Sequence, residues 1–351
     1  MLFDNLPKNE LEFHERFSTE EACREYMSNV RWPEGFVCPH CGHKGGWRRS
    51  NREEWVCAGR TCGKETSLRS GTVFHNSPKP LRAWLFVIFH MTTSKQGISA
   101  LRVQRLLQLG SYHTALRWLR ELRRCMGVAL TQRDPLSTEV EVDETSIGRR
   151  DEGGKQGKGS ETQVHIVGAV ERLGGGCGRA RLKYVPVVNK HTVAEFVQST
   201  ILEGSILHMD HLSSYDQLAE LGYFLDVRKV TSTIEEKREI ARAKKAGEKA
   251  EHKVMKHLPR IHRVFSLVKR VNIGTHQGSF SERHLQGYLD EYCFRFEGRN
   301  RIRLFQLVHE LVTSAFLTKA TPYWQSCGRV KPDKSTYKQS NHWKIFGESL
   351  G

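Results

Sequence analysis

The sequence predicts an α/β protein: a mixed sheet flanked by helices in its second half, preceded by a zinc ribbon and a helical segment. Three observations carry this. From about residue 136, short β-branched runs alternate with turns and helical stretches. Four of the nine cysteines fall in one 25-residue window, Cys38, Cys41, Cys57 and Cys62. Between them and the sheet, residues 81–126 follow a helical period.

Residues 18–28 (STEEACREYMS) predict a short helix, with Ser18 or Thr19 as N-cap and Glu20 and Glu21 in the first turn, where negative charge suits the helix dipole. The ribbon follows. Cys38-x2-Cys41, fifteen intervening residues and Cys57-x4-Cys62 supply four thiolates at the spacing of two metal knuckles. Each pair brackets a turn, and Gly42 and Gly63 follow where the backbone must bend round the metal. His40 and His43 lie nearby, but four thiolates already complete a tetrahedral shell. With no position left open for chemistry, the Zn²⁺ is predicted to be structural. The other cysteines, Cys23, Cys125, Cys177, Cys293 and Cys327, are scattered singly and read as reduced thiols.

Trp84, Leu85, Ile88 and Phe89 share one helical face. Two further helices, at 98–108 and 112–126, are separated by Leu109-Gly110-Ser111, a stop and a restart with Ser111 as cap. Two short helices across a tight turn fit a helix-turn-helix or an ordinary helical hairpin. Arg102, Arg105, Arg117, Arg120, Arg123 and Arg124, read as outward-facing, favour DNA contact.

Asp134-Pro135-Leu136 marks a boundary, beyond which the order is β-β-β-α-β-α-β. Asp143 is placed at the end of the first of these strands and Asp210 at the end of the fourth. Taken alone, each is a strand-end turn residue. If the two strands are neighbours, the carboxylates meet at one edge, and two close carboxylates with hard oxygen donors suit Mg²⁺ or Mn²⁺. Glu144 and Asp216 read as supporting residues. Residues 235–256 are dense in charge and low in apolar content, a solvated helix or a partly disordered insert. Two helical runs follow, LPRIHRVFSLVKRV and SERHLQGYLDEYCFRF, then a basic tail.

RWPEGFVCPHCG, SLRSGTVFHNS, GISA, HTALRWLRELR, VEVDET, HMDHLSSYD and GTHQG…SERHLQGYLDEYCFRF occur in that order. This run of motifs, over about residues 12–300, resembles insertion-sequence transposases of the ISXO-like group, in which a zinc ribbon precedes an acidic-triad (DDE-type) RNase H-like domain. The resemblance implies DNA transposition, in which hydrolysis at the element's ends frees 3′-hydroxyls that attack target DNA. It makes Asp143 and Asp210 the first two acidic ligands. It puts the third position on the helix after the fifth strand, where many relatives carry Glu and this chain has His262, ahead of Lys269. Some branches of the group look similar with His there, but they commonly place Asn where this chain has Leu267. Either His262 completes a working site, or the site is weakened and the protein is a zinc-ribbon regulator derived from a transposase. Lys269 and Arg270 follow about two turns beyond His262, on roughly the same face, where a cation would hold a phosphate. His276 and His284 read as substrate-proximal residues or as simple loop and helix packing, and not as catalytic.

The expected organisation is 12–75 for the N-terminal helix and ribbon, 80–130 for the helical DNA-binding segment, 136–310 for the RNase H-like domain with an insert at 232–257, and 322–351 for the tail. Lys and Arg outnumber Asp and Glu by 55 to 39, a net charge of +16 that points to a polyanionic partner. Double-stranded DNA, as terminal inverted repeats and target, is the expected partner, with a homo-oligomer implied by the resemblance. No membrane span or signal peptide is legible, so the expected location is a prokaryotic cytoplasm, on DNA.

Overall fold

The structure is a computed structural model describing residues 7, 9–49, 53–147, 164–210, 217–228, 258–276, 282–299 and 304–321. The predicted 232–257 insert and the 322–351 tail lie outside the described residues. The chain divides into two compact units, one of Asn9–Ile88, Ala100–Cys125 and Leu311 onward, the other of Met1–Lys8, Phe89–Ser99 and Met126–Glu310.

In the first unit, α1 (Glu10–Arg16) and α2 (Glu20–Arg31) lead into the strands β1 (Gly46–Arg48), β2 (Glu54–Cys57) and β3 (Glu65–Ser67), which form an antiparallel meander. Thr19 caps α2, its side chain accepting from the Ala22 amide at 3.2 Å. The sequence reading missed α1, because seven residues are too few to display a helical period. Asn9 nonetheless caps it, accepting from the Glu12 amide. Next come α3 (Leu81–Thr93), α4 (Ala100–Leu106) and α5 (Tyr112–Thr131). The break between α4 and α5 lies where predicted, and Ser111 Oγ accepts from the His113 amide at 3.2 Å. Trp84 stacks on Trp118 at 3.9 Å between centroids, amid the buried side chains of Phe74, Leu119 and Leu122. Arg123, expected outward, is buried: it shares the inward face of α5 with Leu119 and Leu122.

The second unit is built on a five-stranded sheet of β4 (Glu139–Ile147), β5 (Val164–Leu173), β6 (Gly176–Val185), β7 (Ile206–Asp210) and β8 (Phe224–Arg228). Its order is β6-β5-β4-β7-β8, with β6, β5 and β4 antiparallel and β4, β7 and β8 parallel. Helix α6 (Lys190–Thr200) lies between β6 and β7 in the chain, and α7 (Gln217–Glu220) between β7 and β8. The mixed sheet with flanking helices agrees with the sequence reading, as does the element order. Alternation along the strands sorts the two faces. Val140 and Val142 of β4 and Leu207 and Met209 of β7 bury themselves with Val193, Phe196 and Val197 of α6.

Three more helices follow, α8 (Pro259–His276), α9 (Glu282–Glu297) and α10 (Leu304–Leu317). Helix α8 lies over β4 and β5 on the face opposite α6. Gly168 of β5 makes room for it, since a Cβ there would sit 2.7 Å from the Phe265 ring and 3.0 Å from Ile261. Helix α9 covers the edge strand β6. Gln286 accepts from the Tyr184 amide at 2.9 Å and donates to the Leu182 carbonyl at 3.0 Å, occupying edge groups that would otherwise be open to pairing. Among the described residues, no helix is long and apolar enough to cross a membrane.

Candidate active site and metal centre

The ribbon thiols converge. The Sγ atoms of Cys38 and Cys62 lie 3.8 Å apart, those of Cys41 and Cys57 3.5 Å, and all four fall within 4.8 Å of one another. A tetrahedral zinc with bonds near 2.3 Å sets its sulfurs about 3.8 Å apart, so the cluster has the size a structural Zn²⁺ requires. The turns that hold it are built as the spacing suggests. Gly42 (φ 73°) and Gly63 (φ 51°) adopt the left-handed conformation that glycine takes without strain. The Gly42 amide donates to the Cys38 carbonyl at 2.9 Å, and the Gly59 amide donates to Cys57 Sγ at 3.3 Å. His40 and His43 are exposed and take no part in the thiol cluster.

The acidic residues sit on the sheet. Strand β4 pairs with β7 in parallel, Glu139 against Ile206 through Glu141 against His208. Continued two residues on, the same register sets Asp143 level with Asp210. Asp143 is thus not at a strand end, as expected, but in the middle of β4, which runs on to Ile147 along β5 after its pairing with β7 stops. The reason is that antiparallel pairing with β5 holds the strand extended through the polar residues DETS, which lack an apolar alternation. Asp210 does end β7.

Burial pushes the Asp143 carboxyl up to about 6, helped by the charges of Glu144 and Asp210 and opposed by the Glu144 amide and by His262. Asp210 Oδ1 is buried and has no hydrogen-bond partner among the described residues. A buried carboxylate oxygen without a donor is costly unless a cation satisfies it.

His262 lies in the first turn of α8, its Nε2 3.0 Å from Asp143 Oδ2, with its side chain 48% exposed against 15% for Asp143. Lys269, two turns on, donates from Nζ to Thr145 Oγ1 at 2.8 Å, whereas Arg270 is exposed. The structure therefore brings Asp143, His262, Thr145 and Lys269 along one line between β4 and α8, with Asp210 beside Asp143. Among the described residues the four cysteines alone make a metal-sized cluster, so Asp143, Asp210 and His262 do not converge as tightly as the thiols do. Glu144 is partly exposed beside Asp143, and Leu267 is partly buried in α8. Asp216 lies outside the described residues, as does the side chain of His276, the last residue of α8.

In the other unit, the Arg117 guanidinium donates to the Thr321 carbonyl at 3.3 Å, and Arg124 donates to the Lys319 carbonyl at 3.0 Å. Arg120 is half-buried on the same helix. Arg117 and Arg124 thus hold the segment after α10 as well as lining α5.

Sequence reasoning missed Glu141, which is fully buried beneath the start of α8. The signal was present: in VEVDET a period of two puts Glu141, Asp143 and Thr145 on one face, opposite Val140 and Val142. It also missed His208, whose Nδ1 lies 2.8 Å from Asp226 and whose Nε2 lies 3.0 Å from Glu139.

Residues 135–297 match the family model of the ISXO2-like transposase domain, and residues 18–65 match that of the transposase zinc-ribbon domain. No protein of curated function matches the chain. Two solved structures show a remote likeness, both at 10% identity. The crystal structure of the Mos1 strand transfer complex has a TM-score of 0.19 over 61% of this chain and 76% of that one. The crystal structure of a pre-cleavage Mos1 transpososome has a TM-score of 0.18 over 65% of this chain and 77% of that one. Scores that low carry no structural argument. The two family matches fall on the two parts that the cysteine spacing and the strand order set apart, and the chain belongs to the insertion-sequence transposases of the ISXO-like group, a zinc ribbon ahead of a DDE-type RNase H-like domain.

Proposed function

We propose that the protein binds the ends of its insertion sequence and catalyses metal-dependent strand cleavage and strand transfer there. The observation that carries this is the register that sets Asp143 level with Asp210 on adjacent parallel strands, with His262 Nε2 of α8 3.0 Å from Asp143. The unpartnered Asp210 Oδ1 and the hard oxygen donors fit a Mg²⁺ or Mn²⁺ ion. Asp143 and Asp210 would hold it. Bound there, the metal would activate an attacking oxygen and steady the leaving one in phosphodiester displacement.

The chain's own residues supply the rest. Asp143 and Asp210 are set at one level of the sheet, and burial, which favours the protonated Asp143 carboxyl, would be offset there by a bound cation. His262 offers a ring nitrogen 3.0 Å from Asp143, able to ligate or to move a proton at Nε2. Lys269, tethered to Thr145, places a cation beside the acids for a phosphate oxygen, and Arg270, the next residue of α8, is exposed. The ribbon and the α4–α5 pair, with Arg117 and Arg120, would bind the double-stranded ends, and two copies of the chain would bring paired ends together.

The test is a nicking assay of the full chain on DNA carrying its element's ends, with Mg²⁺ or Mn²⁺. Cleavage that disappears in Asp143→Ala and in Asp210→Ala supports the proposal. An intact protein that leaves its true ends uncut in either metal contradicts it and favours a DNA-binding regulator.

A further inference from the structure

We propose that Glu141 is a positioning residue that sets His262 against Asp143. Glu141 is fully buried in the sheet, two residues before Asp143 on the same face of β4. Its Oε2 accepts from the amides of Arg260 and Ile261 at 2.8 and 3.0 Å, and its Oε1 accepts from the Arg260 guanidinium at 3.0 Å.

The first turn of α8 is thereby fully satisfied. An α-helix leaves its first amides without an internal partner, and a local Ser, Thr, Asp or Asn normally supplies one. Here Pro259 opens the helix and has no amide to satisfy. Arg260 and Ile261 give theirs to Glu141, and His262 gives its own to the Leu258 carbonyl at 3.2 Å. The cap thus comes from the sheet. A negative group at the positive end of the helix dipole adds to the hold, and burial removes competing water.

The consequence is geometric. A local cap leaves a helix free to slide over its neighbour, whereas a cap supplied by β4 fixes where α8 begins along β4. His262 is the next residue after the two capped amides, and Asp143 is the next residue on that face of the strand. Arg260 also reaches the β5–β6 turn, donating to the carbonyls of Gly174 and Gly176 at 2.5 and 2.8 Å, so the helix start is held from two sides. Two turns beyond His262, Lys269 ties the middle of α8 to Thr145. From Glu141 to Thr145 the strand rises about 13 Å, and from Ile261 to Lys269 the helix rises about 12 Å. The two elements keep step between their ties.

The assignment rests on Asp143 and His262 forming the proposed site, but its test does not depend on cleavage. The full chain, labelled with ¹⁵N-histidine and free of added Mg²⁺ or Mn²⁺, is compared with Glu141→Ala, Glu141→Gln and Val197→Ala. Val197 is buried on the opposite face of the sheet and serves as a destabilised control. The His262 ring signal is identified by its loss in His262→Gln. In the folded Glu141→Ala variant the Nε2 signal is expected to move toward that of a freely solvated imidazole. In Glu141→Gln, which keeps an acceptor for both amides, it should move less, and in Val197→Ala it should stay. A signal unchanged in folded Glu141→Ala, or moved equally in Val197→Ala, overturns the assignment. A second arm measures end cleavage, where Glu141→Ala should lower kcat about 10- to 100-fold with KM unchanged, the usual range for a residue behind a metal ligand. Wild-type protein that cuts nothing refutes the transposase proposal alone, and the ring signal still decides the role of Glu141.

Discussion

Asp143 bears the sharpest chemical prediction. Its carboxyl is pushed up to about 6, chiefly by burial, from an ordinary 3.8. A raised folded-state value means the folded protein holds a proton there that the unfolded chain releases. That stability is fully present below about pH 4 and is lost as pH rises through about 6. Without divalent metal, Asp143→Asn should therefore be more stable than wild type above pH 6, by about 1–2 kcal/mol, as read from urea midpoints. Added Mn²⁺ should raise the wild-type midpoint and leave the variant's in place. Equal midpoints without metal would contradict the buried environment described for Asp143. Four cysteines declare a metal site because thiolates at that spacing have few other uses. A lone aspartate in DETS has many, and only the pairing of β4 with β7 gives Asp143 its partner. Glu141 was hidden for a related reason: the helix start it caps lies 119 positions away in sequence.

At the scale of elements, the position of α8 depends on a small residue under it. Gly168→Val would drive a side chain into Phe265, Ile261 and Leu182. Overpacking of this kind costs about 1–3 kcal/mol, and here it should also lift α8 from the sheet. Melting temperature and end cleavage should fall together, whereas unchanged cleavage in Gly168→Val would show that α8 tolerates displacement. The ribbon makes a second case. Removing zinc with a strong chelator, or Cys57→Ser, should melt β1–β3, since folding and metal binding are one equilibrium in such modules. The loss should show in near-ultraviolet circular dichroism from Trp55, which is buried there. A spectrum indifferent to the chelator would argue against a zinc-dependent fold. Element order and type were legible from alternation and from Gly and Ser punctuation. The lengths were less so: α5 runs to Thr131, five residues past the expected end at 126, because nothing in CMGVALT stops a helix. Helix α1 was illegible, being a single capped stretch with one buried residue, Phe13.

The whole molecule carries +16, and its predicted partner is a polyanion. Binding to element-end DNA should weaken as a straight line of log affinity against log salt, with a slope that counts phosphate contacts. Arg270→Ala should make that slope shallower by about one contact, on this scale. A salt-independent affinity would contradict an electrostatic interface. The central claim, however, is that Asp143 and Asp210 together hold a catalytic cation, and it can be tested without substrate. Fe²⁺ bound in place of Mg²⁺, with ascorbate and peroxide, cuts the backbone beside the bound metal. Cuts are expected near residues 143 and 210, suppressed by excess Mg²⁺ and absent from Asp143→Ala and Asp210→Ala. Cuts confined to other segments, or cuts that persist in both variants, would contradict it.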